Sequence, residues 1–312
     1  MKVDFASNLM RRIGASGSPL WSYGISLMSP MAFTRKLHQL AGRNPSLWEG
    51  KRSCFSLSFD VDFIADVKAL PTLVAILDEY SIKASFAVIG MLVEQYPVEH
   101  KLLVKAGHEI VNHTYSHPNH LELTPNRFFD RISPEEQEEE IRRCDEVIRN
   151  ALGVRPIGFR TPHFGNQYAS SVYGILRKLG YQYSSSTVAP HTRSFGYPFK
   201  EREGIWELPV STCPQHPFTT FDTWHAFHKS PPLLKRAGWH QDNGEFYRLF
   251  TQLIGLGIEN GSYINLYFDP QDILQADLKR LLQYLVGEAE EIHVMQYQRI
   301  VADFSGKLAD NV

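Results

Sequence analysis

The apolar positions from residue 53 onward alternate between short β-rich runs and longer stretches with helical spacing. This pattern predicts strands at "SCFSLSFDVD", "KASFAVIG", "HEIVNH", "PIGFR", "YQYSSST" and "GIWELPV". It predicts helices over Ala65 to Tyr80 and at "MLVEQYPVEHKLLVKAG", "SPEEQEEEIRRCDEVIRNALG" and "YASSVYGILRKLG". Strands that alternate with helices in this way indicate a largely parallel sheet with helical crossovers, either open or closed into a barrel.

Two stretches interrupt the alternation. Residues 1–50 hold one predicted helix, "PMAFTRKLHQLAG", and are interpreted as an appendage on the main domain, residues 51–312. The segment 190–245 is rich in Pro, His and aromatic residues and has little periodicity, which is typical of a functional cap or an insertion. After it, the pattern predicts a helix from Glu245 to about Glu259, the strand "SYINLYF", a helix from Ile273 to about Glu290 and a last strand near "HVMQYQRIV".

The composition is that of a globular protein, with 43% hydrophobic and 21% charged residues in 312. A net charge of -2 gives no electrostatic argument for nucleic acid or an anionic membrane as a partner. No apolar run approaches the roughly 20 residues that span a bilayer, so no membrane span is predicted. The three cysteines, Cys54, Cys144 and Cys213, are too few and too scattered for a disulfide framework, which favours a cytoplasmic location.

Polar residues suited to metal binding and acid–base chemistry follow two of the predicted strands. Asp60 and Asp62 end the first strand two residues apart and so point to the same side. His113 and His117 stand four residues apart after another strand and can face one metal ion. One carboxylate can complete a His-His-Asp metal site while the other takes the proton of the metal-bound water. Taken alone, each motif also suits polar loop histidines or solvated acids at a strand end.

The motif "FRTPHFG" places Arg160 at the end of a third strand, and Pro162 fixes the turn that follows. An Arg beside a catalytic carboxylate keeps that carboxylate ionised and oriented through paired hydrogen bonds. The alternative is an ordinary surface salt bridge. Because the carboxyl ends of parallel strands meet on the face where α/β folds build their active sites, one site can collect all of these residues.

Together these motifs resemble the NodB-type polysaccharide deacetylases over roughly residues 53–300. "SFDVD" is similar to the family's first motif, "NHTYSH" after "AGHEI" to the second and "FRTPHFG" to the third. The resemblance implies a distorted or incomplete (β/α) barrel and a hydrolase that removes an acyl group, usually N-acetyl, from a carbohydrate with one divalent metal ion. Zinc is expected, and the same ligands also admit cobalt, nickel, manganese or iron.

The resemblance also implies a role for each motif residue. Asp60 corresponds to the catalytic base, with Arg160 as its partner, and the metal ligands correspond to Asp62, His113 and His117. The two acids are adjacent in many members. Here Val61 separates them, as in branches of the family that act on less typical substrates.

A late strand of the family normally ends in a His that protonates the leaving amine, and Asp269 occupies that place in "INLYFDP". As a carboxylic acid, Asp269 can serve in catalysis if burial raises its pKa. It can equally be a cap at the strand end. The alternative acids are cap histidines, namely His216, His225 and His240.

The predicted reaction is therefore amide hydrolysis on an acylated sugar. The candidate substrate contacts are Pro162, His163, Phe164, Trp224 and Trp239. The alternatives are a deformylase or another small-amide hydrolase of the same superfamily and, from a different class, a non-catalytic carbohydrate-binding protein that retains the metal site. The pairing of Asp60 with Arg160 argues against the last, because a binding protein has no use for an oriented base.

Overall fold

The structure is a computed structural model, and it describes residues 28–42, 48–120, 122–164, 171–228 and 242–309, with positions 12, 24 and 25. The strands are β1 (Ser53–Val61), β2 (Ser85–Val88), β3 (Glu109–Asn112), β4 (Gly158–Phe159), β5 (Tyr183–Ser184), β6 (Phe199–Lys200), β7 (Trp206–Glu207), β8 (Thr212–Cys213), β9 (His216–Thr220), β10 (Tyr263–Phe268) and β11 (Ile292–Val294).

The helices connect these strands in the alternating order that the sequence predicts. They are α1 (Pro30–Ala41), α2 (Ile64–Glu79), α3 (Gly90–Gln95), α4 (Pro97–Lys105), α5 (Pro134–Leu152), α6 (Val172–Leu179), α7 (Thr223–Phe227), α8 (Asn243–Asn260), α9 (Pro270–Gln275), α10 (Leu278–Gly287) and α11 (Tyr297–Ala309), with a 3-10 turn at Ala189–His191. None of the described helices combines the length and apolar character needed to cross a bilayer.

The main sheet runs in the order β10-β1-β2-β3-β4-β5-β7-β6, and its neighbours are parallel except for the β7–β6 pair. β11 pairs with the start of β1. β2 pairs with the end of β1. After β7 the chain meets the opposite edge of the sheet, because the Ser211 N–H donates to the Asn265 carbonyl at 2.8 Å. The sheet therefore curls into the distorted (β/α) barrel that was predicted.

Strand β1 is buried along its whole length, and its alternation gives its two faces different roles. The large residues Phe55, Leu57 and Phe59 belong to the hydrophobic core that the surrounding helices complete. The residues between them are small or polar. Ser58 and Asp60 contact Arg160 inside the barrel. Because side chains alternate along a strand, Asp60 belongs to the interior face and reaches the barrel's carboxyl end.

Two predicted elements near the C-terminus are confirmed only in part. The strand near "HVMQYQRIV" ends at Val294, and a helix begins at Tyr297. In this helix Tyr297, Ile300, Val301 and Phe304 are buried, and their spacing of three and four residues is helical. The predicted helix from Ile273 to Glu290 is two helices, α9 and α10, because Asp277 lies between them with a φ of 57°.

The segment 190–245 is only partly irregular. Its described residues include β6, β7, the antiparallel hairpin β8–β9 and helix α7, and β7 is a strand of the main sheet, as "GIWELPV" predicts. The appended helix α1 packs on this segment, with the ring centroids of Phe33 and Phe218 5.0 Å apart. Trp239 and His240 lie outside the described residues.

Candidate metal centre and active site

Adjacent strands bring the predicted residues to one end of the barrel. Asp60 pairs with Ala87 of β2, and Asn112 of β3 pairs with Phe159 of β4. His113 and Arg160, each one residue further, are therefore neighbours. His113 Nδ1–H donates to the Arg160 carbonyl at 3.0 Å. The carbonyl can only accept, so this bond fixes the tautomer and directs Nε2 of His113 away from the strand.

Asp62, His113 and His117 form the metal group, a cluster of side chains that can bind one metal ion. Their ligand atoms lie within 4.8 Å of one another. His113 Nε2 is 3.4 Å from Asp62 Oδ1, and His117 Nε2 is 3.6 Å from Asp62 Oδ2. Both imidazoles are buried, and Asp62 is partly buried. This is the trio that the sequence motifs predict.

The donor set fits a divalent cation. Asp62 Oδ1 is buried and has no hydrogen-bond partner within the protein, although a buried carboxylate oxygen normally has one. Burial lowers the pKa of His113 to about 4 and lowers that of His117 well below its usual value. Both rings are therefore neutral near pH 7, which is the form that binds metal. Two imidazoles and one carboxylate, with room for water, are typical of catalytic zinc and related ions.

Asp60 lies beside the metal group in a fixed setting. Its Oδ2 is 4.0 Å from His113 Nε2. Its Oδ1 accepts a hydrogen bond from Arg160 Nη1 at 2.5 Å. Arg160 is completely buried, so this ion pair is not screened by solvent. The charged and oriented carboxylate is suited to accept a proton next to a metal ion.

Arg160 is held by polar groups inside the barrel. Its Nη1 also donates to Ser58 Oγ at 3.0 Å, and its Nη2 donates to Tyr297 OH at 2.6 Å and Ser185 Oγ at 3.1 Å. Tyr297 OH lies 2.5 Å from Asn265 Oδ1. Sequence reasoning missed Tyr297 because it assigned that stretch to a strand. Its role depends on the C-terminal helix α11, which begins at Tyr297 and so places the phenol beside Arg160.

Two further residues hold the Asp62 loop, and sequence reasoning did not assign either. His120 Nδ1 accepts the backbone N–H groups of Glu122 and Leu123, so its Nε2 carries the proton and donates to the Asp62 carbonyl at 2.8 Å. The Asp66 carboxylate accepts the backbone N–H of Asp62 at 3.2 Å. A signal for His120 was present, since it closes "HTYSHPNH" three residues after His117.

A cavity of about 310 Å³ opens above the metal group. It is lined by Asp60, Asp62, Phe63, His113, His117, Asn119, His120, His163, Phe164, Thr220, Trp224, His225, Tyr267 and Asp269. Among the predicted substrate contacts, His163, Phe164 and Trp224 line this cavity. Pro162 is not among the lining residues. Trp239, another of these predicted contacts, lies outside the described residues.

Aromatic rings form one wall of the cavity. Trp224 is 38% exposed and stacks on Phe63 at an interplanar angle of 6° with ring centroids 6.1 Å apart. Phe164 and Tyr267 pack together with ring centroids 4.9 Å apart. Exposed aromatic faces beside polar groups are suited to stack on a sugar ring.

Asp269 lines the cavity but does not cap α9 with its side chain. Its Oδ2 instead accepts the hydroxyl of Thr223 at 2.9 Å, and its backbone N–H donates to the same hydroxyl oxygen at 2.9 Å. Burial and then the nearby carboxylates raise the pKa of Asp269 well above its usual value. The interpretation of the Asp269 side chain as a cap at the strand end is thus wrong. The side chain is hydrogen-bonded to the segment 190–245 instead.

The three cap histidines that are candidate acids differ in their position relative to the cavity. His225 lines the cavity, and its Nδ1–H donates to Asp222 Oδ2 at 2.5 Å. His216 is buried and does not line the cavity, and burial lowers its pKa to about 4. His240 lies outside the described residues.

Comparison with known proteins agrees with the resemblance seen in the motifs. A family model described as polysaccharide deacetylase matches residues 49–184, which contain the metal group, Asp60 and Arg160. A peptidoglycan-N-acetylglucosamine deacetylase of Bacillus cereus is 29% identical over 98 residues, which cover 31% of this chain and 32% of that protein. A peptidoglycan deacetylase-like protein of Gibberella zeae is 27% identical over 137 residues, covering 43% and 37%.

The chain spans about a third of the length of these curated relatives. Among solved structures, a putative polysaccharide deacetylase of Mycobacterium smegmatis superposes with a TM-score of 0.68 at 19% identity. The match covers 83% of this chain and 92% of that structure. It confirms the fold of the barrel beyond the segment that the family model matches.

Proposed function

Because residues 49–184 carry the polysaccharide deacetylase family pattern, we propose that this protein hydrolyses the N-acyl group, N-acetyl first of all, of a carbohydrate substrate. One observation carries the proposal: the buried Asp60–Arg160 pair stands beside three metal-ligating side chains at the base of a cavity. A deacetylase needs a base in that position, whereas a binding protein does not.

Asp62, His113 and His117 would hold the metal, for which zinc is the proposed ion. When bound, a divalent ion lowers the pKa of water and polarises a carbonyl group. The protein itself keeps the imidazole ligands neutral and holds the ligand side chains in position. His113 is oriented by the Arg160 carbonyl, and the Asp62 loop is held by His120 and Asp66.

Asp60 then takes the proton of the attacking water. Its carboxylate is kept in place by Arg160, so its free oxygen faces the metal group at no further conformational cost. The proton that Asp60 receives must later reach solvent or product, and a second group must protonate the leaving nitrogen. Without that protonation the amine is too basic to leave.

The cavity supports a neutral sugar as the substrate. No Lys or Arg occurs among its described lining residues, so the described lining lacks the side chains that usually bind an anionic substrate. Trp224 offers its exposed face at the rim. A ring stacked there would place its acylamino substituent towards the metal group.

The test is an assay of the metal-loaded protein on N-acetylated and N-formylated glucosamine oligomers, with acetate and formate measured separately. We expect acetate release, and we expect Asp60→Asn to remove most of it. Formate release alone would indicate a deformylase. Binding of the oligomers without release of either acid would support the carbohydrate-binding alternative instead. The cytoplasmic location stays a prediction that fractionation of the source cells would test.

A further inference from the structure

The proposed hydrolysis requires an acid for the leaving nitrogen, and several groups around the cavity are poorly suited to the task. His120 is neutral and has committed both ring nitrogens to backbone groups. Burial lowers the pKa of His163, which is therefore uncharged near pH 7. Burial raises the pKa of Tyr267 well above its usual value, which makes its phenol a weak acid.

His225 differs from these groups because it has a carboxylate partner. Its Nδ1–H donates to Asp222 Oδ2, and the other oxygen of Asp222 accepts the backbone N–H of His225 at 2.9 Å. Thr220 Oγ1 also donates to Asp222 Oδ2 at 2.5 Å. The Asp222 side chain is fully buried, whereas 37% of the His225 side chain is exposed. The hydrogen bond to Asp222 thus orients a ring that lines the cavity.

The first turn of helix α7, which carries Asp222 and His225, is hydrogen-bonded to the barrel. Thr223 lies between Asp222 and His225, and its hydroxyl donates to Asp269 Oδ2 and accepts the Asp269 backbone N–H, both at 2.9 Å. Asp269 follows β10 directly. A strand end next to the metal group therefore fixes the position of the turn and of His225.

We propose that His225 is the general acid that protonates the leaving nitrogen, that Asp222 positions it, and that Asp269 anchors their turn through Thr223. The proposal rests on the proposed amide hydrolysis and deepens it. The imidazolium of His225 gives its Nε2 proton to the nitrogen as the bond between the acyl carbon and the nitrogen breaks. The bonding electron pair remains on the nitrogen, and the amine leaves. The acyl group departs as a carboxylic acid, and the neutral imidazole regains a proton from water.

The electrostatics of the pair agree with this role. Burial lowers the pKa of His225, but the charge and hydrogen bond of Asp222 outweigh it and leave the pKa raised. The carboxylate therefore favours the protonated form of the ring. Among the described residues, His216 of β9 opposes the charge of His225, and Asp269 and Tyr267 contact the same turn through Thr223 and Thr220.

The decisive experiment compares leaving groups. Metal-loaded protein and His225→Gln are assayed on an N-acetylated glucosamine oligomer and on 4-nitrophenyl acetate, whose phenolate leaves without protonation. We expect His225→Gln to lose about a hundredfold or more on the amide and less than about tenfold on the aryl ester. His293→Gln is the control, since His293 also has an acidic partner, Glu49 at 3.6 Å, but lies at the opposite end of β1 and does not line the cavity. Its ratio of amide to ester rates should equal that of the wild type.

The outcomes separate the two proposals. A wild-type protein that releases acetate from neither substrate contradicts the proposed function itself. An active wild type with equal losses on both substrates in His225→Gln reduces His225 to a structural role and overturns the inference. Asp269→Asn should lower the amide rate by less than His225→Gln does, because it only loosens the turn that carries the ring. A larger loss on the amide in Asp269→Asn than in His225→Gln would identify Asp269 as the acid in place of His225.

Asp222→Asn supplies a second measurement that does not require removal of the imidazole. Without the carboxylate the pKa of His225 falls, so the decline of amide hydrolysis with rising pH should begin at a lower pH than in the wild type. The profile on 4-nitrophenyl acetate should keep its shape. An unchanged amide profile in Asp222→Asn would contradict the positioning role.

Discussion

The two walls of the cavity are built by different means. Asp60, Asp62, His113 and Arg160 sit on or directly after strands whose backbone ladders set their spacing. On a second wall, the turn that carries Trp224 and His225 follows a two-stranded hairpin outside the main sheet. There, position depends on side-chain hydrogen bonds such as those between Thr223 and Asp269.

This difference teaches how the two walls can change. The wall formed by Asp60, Asp62, His113 and Arg160, the strand-end wall, is constrained by backbone pairing, so each of its side chains has few alternative positions. Its chemistry can therefore be predicted from sequence motifs. The second wall is joined to β10 by side-chain contacts, namely the hydrogen bonds between Thr223 and Asp269 and the packing of Phe221 against Phe268, so its exposed residues can change without disturbing backbone pairing. Substrate choice and the acid are therefore expected to vary there, as is typical of loops at the active end of a barrel.

The largest effect should come from the strand-end wall. His113→Ala and His117→Ala each remove one of three protein ligands, so both should lose stoichiometric metal and all measurable turnover. Metal analysis after dialysis, with a thermal melt, checks this. His293→Ala is a control at the opposite end of β1, where His293 pairs with Cys54. Retention of one metal per chain in both ligand variants would refute the ligand assignment.

The two acids of β1 should separate chemically. Asp60→Asn should keep its metal and lose about a hundredfold to ten-thousandfold in turnover, because the amide cannot accept the proton. Asp62→Asn should lose metal first. Parallel metal analysis and kinetics on the same preparations distinguish them, and the reverse pattern would require the roles of base and ligand to be exchanged.

A smaller effect should come from the interior beneath the base. Tyr297→Phe removes the hydroxyl that accepts from Arg160 Nη2 and contacts Asn265, leaving buried polar groups unpaired. We expect about 1–3 kcal/mol of lost stability and a fall in turnover well below that of Asp60→Asn. Denaturant unfolding with steady-state kinetics measures both. Unchanged stability would mean that the network does not hold Arg160.

The smallest effect should come from the rim. Trp224→Ala removes a stacking face worth about 0.5–1.5 kcal/mol, which predicts a KM raised about twofold to tenfold with little change in kcat. Trp224→Phe is the matched variant and should recover most of the affinity. A lowered melting temperature with unchanged kinetics in Trp224→Ala would show that this ring serves only to pack the cap.

The sequence pattern by itself determined the alternation of strands and helices and the residues of the strand-end wall, whereas closure into a barrel was implied only by the family resemblance. Alternation along "SCFSLSFDVD" places Asp60 and Asp62 on one side, and the neighbouring strands that deliver His113 and Arg160 follow from the order of elements. These are consequences of local periodicity and of the shared direction of parallel strands. The comparisons agree because those same residues lie within the matched segment.

Only the tertiary structure decided which groups support and face that wall. Tyr297 reaches Arg160 across 137 positions of sequence because a buried helical stripe, not a strand, follows Val294. His225 reaches the cavity, with the buried Asp222 bonded to it, because Thr223 meets Asp269, 46 positions away. Neither contact has a local pattern that predicts it. Each is a long-range hydrogen bond between single side chains, and the packing of whole elements brings its partners together.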